Sequence, residues 1–163
     1  MKTLLIVFHS LTGGTRQMAT AAAQAARAEA GVDVRLLAAP QAGPDDLLTA
    51  DGFIFAAPEN LAAVAGVMKD FFDRTYYPVL GRIEGRPYAA LVCAGSDGEN
   101  AARQIARIAT GWRLRAVAET LIVCTHAQTP AEILAPKLIA QADLDDCAQL
   151  GATLAAGLAM GIF

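Results

Sequence analysis

The sequence predicts an α/β fold, a three-layer sandwich around a five-stranded parallel sheet of order 2-1-3-4-5. Three observations predict it. Short β-rich apolar runs alternate with longer segments of helical period along the 163 residues, the pattern of a parallel sheet wound on both faces. The composition, 55% hydrophobic and 18% charged with a mean hydropathy of +0.38, suits strands covered on both sides. No repeat and no linker interrupts the alternation, so residues 1–163 read as a single domain. Right-handed crossovers then make 2-1-3-4-5 the leading strand order.

Each element follows from its own pattern. Leu4–Phe8 is a continuous apolar run and reads as a strand buried on both faces. From Gly14 to Glu29, Arg16, Thr20, Gln24 and Arg27 recur at helical spacing, Met18, Ala22, Ala25 and Ala26 form a core face, and Gly31 closes the helix. Val32–Leu37 is the second strand, after which Pro40, Gly43 and Pro44 mark a loop. Gly52–Ala57 is the third strand, which Pro58 is expected to stop. The following helix gathers Val64, Val67, Met68, Phe71 and Phe72, with Lys69/Asp73 and Asp70/Arg74 as i,i+4 pairs towards solvent. Pro87–Cys93 is the fourth strand, and the next helix turns Ala102, Ile105, Ala109 and Trp112 inward and Arg103, Gln104 and Arg107 outward. Val117–Cys124 is the fifth strand. Thr129-Pro130-Ala131-Glu132 has the form of a capping box, with Pro136 keeping its helix short. The last helix opens with Asp143, Asp145 and Asp146 at its positive dipole end and buries Leu144, Cys147, Gly151, Leu154 and Leu158.

Composition also excludes partners. A net charge of −3 and a pI near 5.3 give no basic field to gather phosphodiester backbones, so no nucleic acid is expected. Leu150–Phe163 is shorter than the roughly 18–20 residues of a membrane span. Thr3–Phe8 is too short for a signal peptide and lacks a small-residue cleavage site, so a cytoplasmic protein without a membrane partner is expected. Cys93, Cys124 and Cys147 are far apart without metal-ligand spacing, and read as small buried apolar residues with no metal site.

Ligands of such a sheet bind outside the carboxyl ends of its strands, where the first meets the third. The loops after Phe8, Ala57 and Cys93 are therefore the candidate site. In the first, Ser10, Thr12 and Thr15 offer hydroxyls, and Gly13 and Gly14 let the backbone curl its N–H groups inward at a helix start, an arrangement suited to a phosphate monoester. A helix cap alone would need one hydroxyl. Competing phosphate sites fail on particular residues: the chain has no Gly-Lys pair for a Walker loop, and Leu36-Leu37-Ala38 ends the second strand without the acid of a dinucleotide fingerprint. A response-regulator receiver would need an aspartate where Ala56-Ala57-Pro58 stands, and a low-molecular-weight phosphatase would need a cysteine in the first loop.

Ser10-Leu11-Thr12-Gly13-Gly14-Thr15 resembles the [ST]-x-T-G-x-T phosphate loop of the flavodoxin-like family, which includes flavodoxins and the related NAD(P)H-dependent FMN reductases and quinone reductases. Ala57-Pro58-Glu59-Asn60, with Met68–Arg74 behind it, is similar to the family's second flavin loop and the helix beneath it. Val92-Cys93-Ala94-Gly95-Ser96-Asp97-Gly98 is similar to its third. The resemblance runs from residue 3 to about residue 124. It implies FMN as cofactor, with Ser10, Thr12 and Thr15 holding the phosphate by side chain and Leu11, Gly13 and Gly14 by backbone N–H. Pro58, Glu59 and Asn60 would line one side of the ring, and Ala94, Gly95, Ser96, Asp97 and Gly98 the other. Many flavodoxins stack an aromatic residue on each flavin face, whereas Leu61, Ala62 and Ala63 follow here. The aromatic sandwich is missing unless Tyr76 or Tyr77, of this chain or a partner, supplies it.

Other residues read more simply. His9 reaches either the ribityl chain or a local backbone group, and His126 follows the edge strand. Asp97 and Glu99 are turn and helix-start residues or neighbours of the ring's polar edge, and the small-residue final helix is a core face or a homodimer seam. Two functions remain open. One is an FMN-dependent oxidoreductase that takes electrons from NAD(P)H to a quinone or other small acceptor, needing no protein acid, base or nucleophile, so that no catalytic side chain is assigned. The other is a flavodoxin-type electron carrier serving a redox protein, for which dense acidic patches are usual and the charge of −3 is modest. A module that only senses flavin is a third.

Overall fold

The computed structural model describes residues 1–163. Strand β1 (Lys2–Phe8) leads into α1 (Gly14–Ala26), followed by β2 (Val32–Ala38), α2 (Pro44–Thr49) and β3 (Gly52–Asn60). Then come β4 (Ala63–Val64), α3 (Gly66–Val79), β5 (Pro87–Ala94), α4 (Glu99–Gly111), β6 (Arg115–Ala116) and β7 (Leu121–Cys124), and finally α5 (Pro130–Leu134) and α6 (Gln141–Met160). The parallel ladder runs β2-β1-β3-β5, with β6 and β7 sharing the fifth position beside β5. By position this is the expected 2-1-3-4-5 order.

Alternation along each strand feeds two apolar layers. Leu5, Val7, Phe53 and Phe55 pack with Phe72 and Trp112 under α3 and α4, while Leu4, Ile6 and Ile54 pack with Met18, Ala22 and Leu158 under α1 and α6. Phe55 lies 5.3 Å from Phe72 and 6.2 Å from Trp112 between ring centroids, and the Trp112 indole N–H donates to Tyr76 O at 3.0 Å. Burying each such side chain contributes about 1.5–3 kcal/mol, so both layers are needed to hold the sheet.

Four expectations change. β3 does not stop at Pro58: as the third strand passes the end of β5, Pro58 pairs with Cys93, and the chain continues to Asn60 before turning back through Leu61-Ala62 to pair with β4. Val64 therefore belongs to β4 rather than to the helix, and Val67 faces solvent. The expected loop at Gly43-Pro44 holds the short helix α2, whose Asp46 carboxylate accepts from Gly43 N at 2.8 Å. The fifth strand is broken, because Val117–Thr120 face only Ala89 and Ala90 of β5 between the paired segments β6 and β7. The Lys69–Asp73 and Asp70–Arg74 pairs form as expected, as does the Thr129/Glu132 capping box. No helix is long and apolar enough to cross a membrane.

Candidate functional site

The carboxyl ends of β1, β3 and β5 open into a cleft of about 470 Å³. Its floor is the loop between β1 and α1. Gly13 adopts φ 95°, the left-handed conformation that turns the loop into the helix. Gly14 is buried at the first helical position, and a Cβ built on it would stand 2.7 Å from Cys93 Sγ and 3.4 Å from Ile139. The loop comes this close to β5 only because a glycine stands there. The first N–H groups of α1 have no helical acceptor and carry the positive end of its dipole. Ser10 Oγ accepts from Gly13 N at 3.1 Å, which closes the loop on itself. Thr15 is 1% exposed, and its hydroxyl has no oxygen or nitrogen partner, only the Cys93 thiol beside it, a weak one. A buried hydroxyl so weakly partnered at a helix start is a donor waiting for an anionic acceptor.

The second wall is the β3–β4 hairpin. Pro58, Glu59 and Asn60 line the cleft, and Glu59 Oε2 is buried without a donor. Leu61 and Ala62 form the hairpin tip with φ 51° and 59°, left-handed values that non-glycine residues rarely adopt. The tip is held from behind: Val64 N donates to Gln104 Oε1 at 2.7 Å, and Asn100 Nδ2 donates to Ala62 O. Gln104, expected to face outward, thus anchors this wall.

The third wall starts at Ala94, Gly95 and Ser96, sealed from outside by Thr125 N donating to Ala94 O and His126 N donating to Gly95 O, both at 2.8 Å. Asp97 and Gly98 stand outside the lining, as does Gly13. Asp97 Oδ1 accepts from Glu99 N, and Gly98 turns into α4 with φ 87°. His9 lies beside the site without lining it, and burial holds its imidazole below the ordinary value of 6.5. His126 is exposed, with φ 60°.

Sequence reasoning missed a fourth wall. Leu61, Cys93, Thr125, Ala127, Gln128, Ile133 and Lys137 also line the cleft, most of them from the segment around α5. Only the Thr129/Glu132 box signalled a local structure there, and nothing in it announced that the segment would reach the first loop. Lys137 has no free Nζ hydrogen for a ligand, since its Nζ donates to the carbonyls of Glu132, Ile133 and Ala135 at 2.7–2.8 Å, capping α5, but its positive charge still acts on Cys93 in the cleft. Cys93 is buried as expected but also lines the cleft, and burial pushes its thiol up. Cys124 is half-buried, and Cys147, in the core beside α1, has its thiol pushed up to about 12 by burial. No Phe, Tyr or Trp lines the cleft: Tyr76 stacks on Trp112 at 5.6 Å, and Tyr77 points to solvent.

Comparison with known proteins agrees with this architecture. Over 98 residues, 60% of this chain and 53% of the relative, the chain is 35% identical to a flavodoxin of Aquifex aeolicus. Over 95 residues, 46% of this chain and 48% of the relative, it is 39% identical to an NAD(P)H dehydrogenase (quinone) of Acidithiobacillus ferrooxidans. The chain spans about half the length of the curated relatives it matches. Among solved structures it shares the fold of an archaeal flavodoxin, with a TM-score of 0.77 at 19% identity over 96% of this chain and 98% of that one. Flavodoxin 1 of Bacillus cereus gives 0.76 at 21% over 96% and 99%. A family model described as NADPH-dependent FMN reductase matches residues 38–128, from the end of β2 through the second and third walls of the cleft. With more than half of its length under that model and the flavodoxin-like fold around the site, the chain belongs to the NADPH-dependent FMN reductase family.

Proposed function

We propose that the cleft holds FMN and that the protein is an oxidoreductase taking electrons from NAD(P)H to a quinone or another small acceptor. The observation that carries this reading is a cleft with complementary vacancies in its hydrogen bonding: the weakly partnered Thr15 hydroxyl and the N-terminus of α1 at one end, the donorless Glu59 Oε2 on the facing hairpin. A phosphate monoester supplies acceptors for the first, and a ring imide N–H supplies a donor for the second. Ser10, Thr12 and Thr15 would hold the phosphate by side chain, with the Leu11, Gly13 and Gly14 backbone around it. Pro58, Glu59 and Asn60 would flank the ring on one side, and Ala94, Gly95 and Ser96 on the other. FMN supplies the hydride and electron chemistry when bound. The residues of this chain orient it, and they leave a face open. Hydride transfer requires the donor carbon at roughly 3–3.5 Å from its acceptor, and with no aromatic side chain in the lining nothing of that kind stands in the way. The names of the curated relatives agree with both a reductase and a carrier, and the similarity to flavodoxins favours the carrier as the second reading.

Titration with FMN followed by anaerobic stopped-flow mixing with NADPH and NADH tests the reading. The expected result is a tight FMN complex whose visible absorbance is bleached by a nicotinamide in one two-electron phase, and restored by a quinone. Bleaching by dithionite but by neither nicotinamide would replace the reductase with the carrier. Absence of FMN binding would remove both.

A further inference from the structure

The residue that organises the phosphate end of the cleft is not one of its hydroxyls. Gln17 lies in the first turns of α1, half-buried, and its side-chain amide bonds backbone groups of two segments far apart in sequence. Nε2 donates to Gly13 O at 3.0 Å and to Lys137 O at 2.8 Å, while Oε1 accepts from Ile139 N at 3.1 Å. Alongside it, Lys137 N donates to Thr12 O at 2.8 Å. Three hydrogen bonds thus join this end of α1 to a segment 120 residues away, two of them made by Gln17, whose third holds Gly13.

We propose that Gln17 is a positioning residue for the phosphate end: by locking the Thr12–Gly14 loop to Lys137–Ile139 it aims the loop's donors and sets a preference for a phosphorylated flavin over riboflavin. The inference rests on the flavin reading above. In a planar trans peptide the C=O and the following N–H point in opposite directions. The Gly13 carbonyl accepts from both the Gln17 backbone N–H, at 3.1 Å, and its side chain, which fixes where the Gly14 N–H points, while Gln17 holds Lys137 in place to tether the Thr12 carbonyl. That matters here because the only lysine in the lining spends its Nζ hydrogens on capping α5. The Lys137 charge adds a general attraction, but the direct hydrogen bonds to the anion must come from neutral donors, whose strength depends on direction. A residue that merely glued α1 to the segment after α5 would act on every ligand alike, since that segment lines the cleft as a whole. A positioning residue acts on the phosphate.

Gln17→Met keeps the side-chain length and removes all three bonds. Fluorescence titrations of wild type and variant with FMN and with riboflavin should show FMN weakened by roughly tenfold or more and riboflavin by less than about threefold, the loss expected for misaligned bonds to a charged group. Equal weakening of the two ligands, or no weakening of either, overturns the proposal while leaving the flavin reading intact. Failure of the wild type to bind FMN removes that reading and this one with it. A measurement on the wild type serves if the variant does not fold. FMN, compared with riboflavin at equal saturation, should slow hydrogen exchange at Lys137 and Ile139 together with Gly13–Arg16. Protection of the loop amides without those two overturns the coupling.

Discussion

Thr12 and Glu59 each separate one component of ligand binding from the rest, and Gly14 separates packing from both. Thr12 lines the cleft beside the start of α1, so on the proposed FMN placement Thr12→Ala should weaken FMN by about ten- to a hundredfold, the worth of one hydrogen bond to a charged group, and leave riboflavin nearly unchanged. Glu59 stands on the facing wall with an unpartnered carboxylate oxygen, so Glu59→Gln should shift FMN and riboflavin affinities by the same factor. A change seen with FMN alone would assign Glu59 to the wrong end. Gly14 answers to packing: a Cβ there would meet Cys93 Sγ at 2.7 Å, with Ile139 at 3.4 Å and Lys137 at 3.5 Å on its other sides. Gly14→Ala should lower the urea midpoint by the equivalent of about 1–3 kcal/mol, as overpacking does. A companion Gly14→Ala/Cys93→Ala variant should recover part of that loss.

The β3–β4 hairpin shows how an element can be invisible in sequence and still shape the site. Proline in a strand usually marks its end, and a two-residue hairpin with both residues left-handed usually announces itself as Asn-Gly. Here Pro58 stays in the ladder, and the tip is Leu61-Ala62, so both signals pointed away from a hairpin. Its stability comes from Gln104 and Asn100 on α4, a tertiary contact that no local pattern encodes. The phosphate loop was legible for the opposite reason, since its hydroxyls and glycines are adjacent in the chain. The α5 wall was legible as a capped turn but not as part of the cleft, because its attachment runs through Gln17. The broken fifth strand was hidden inside an apolar run whose interruption shows only when Val117–Thr120 are counted against Ala89 and Ala90. Left-handed backbone costs a non-glycine residue about 1–2 kcal/mol, and both tip side chains are exposed. Leu61→Asn/Ala62→Gly should therefore raise the unfolding free energy by about 1–2 kcal/mol in chemical denaturation, and an unchanged midpoint would show the tip to be relaxed.

At the level of the whole molecule, the titrating groups predict an acid limb of instability. Burial holds His9 below 6.5, so the unfolded chain binds more protons than the folded one as pH falls through 6.5, and stability should decline there. At lower pH, burial works to raise Asp51, but the Thr3 N–H and Lys2 outweigh it and hold the carboxyl below 3.8. The Thr129 and Gln128 N–H groups hold Glu132 below 4.5, and the stabilisation of both carboxylates is lost as they protonate. Urea midpoints between pH 5 and 8 should fall towards acid, and His9→Gln should flatten that slope; an unaltered slope would assign it elsewhere. FMN at a hundredfold excess over its dissociation constant should add about 2.7 kcal/mol. The packing of α1 on α6 has a consequence in time. A Cβ on Gly151 would stand 2.2 Å from the Ala22 carbonyl oxygen, so the two helices touch backbone to backbone, and the face of α1 that carries Met18 and Ala22 is covered by Leu154 and its neighbours. A ribosome delivers α1 more than a hundred residues before α6. While the chain grows, the helix that ends the phosphate loop waits uncovered, and the residues that fasten the loop, Lys137 and Ile139, emerge just ahead of α6. A loop shaped for its ligand thus has to wait for α6, however early its own residues are made.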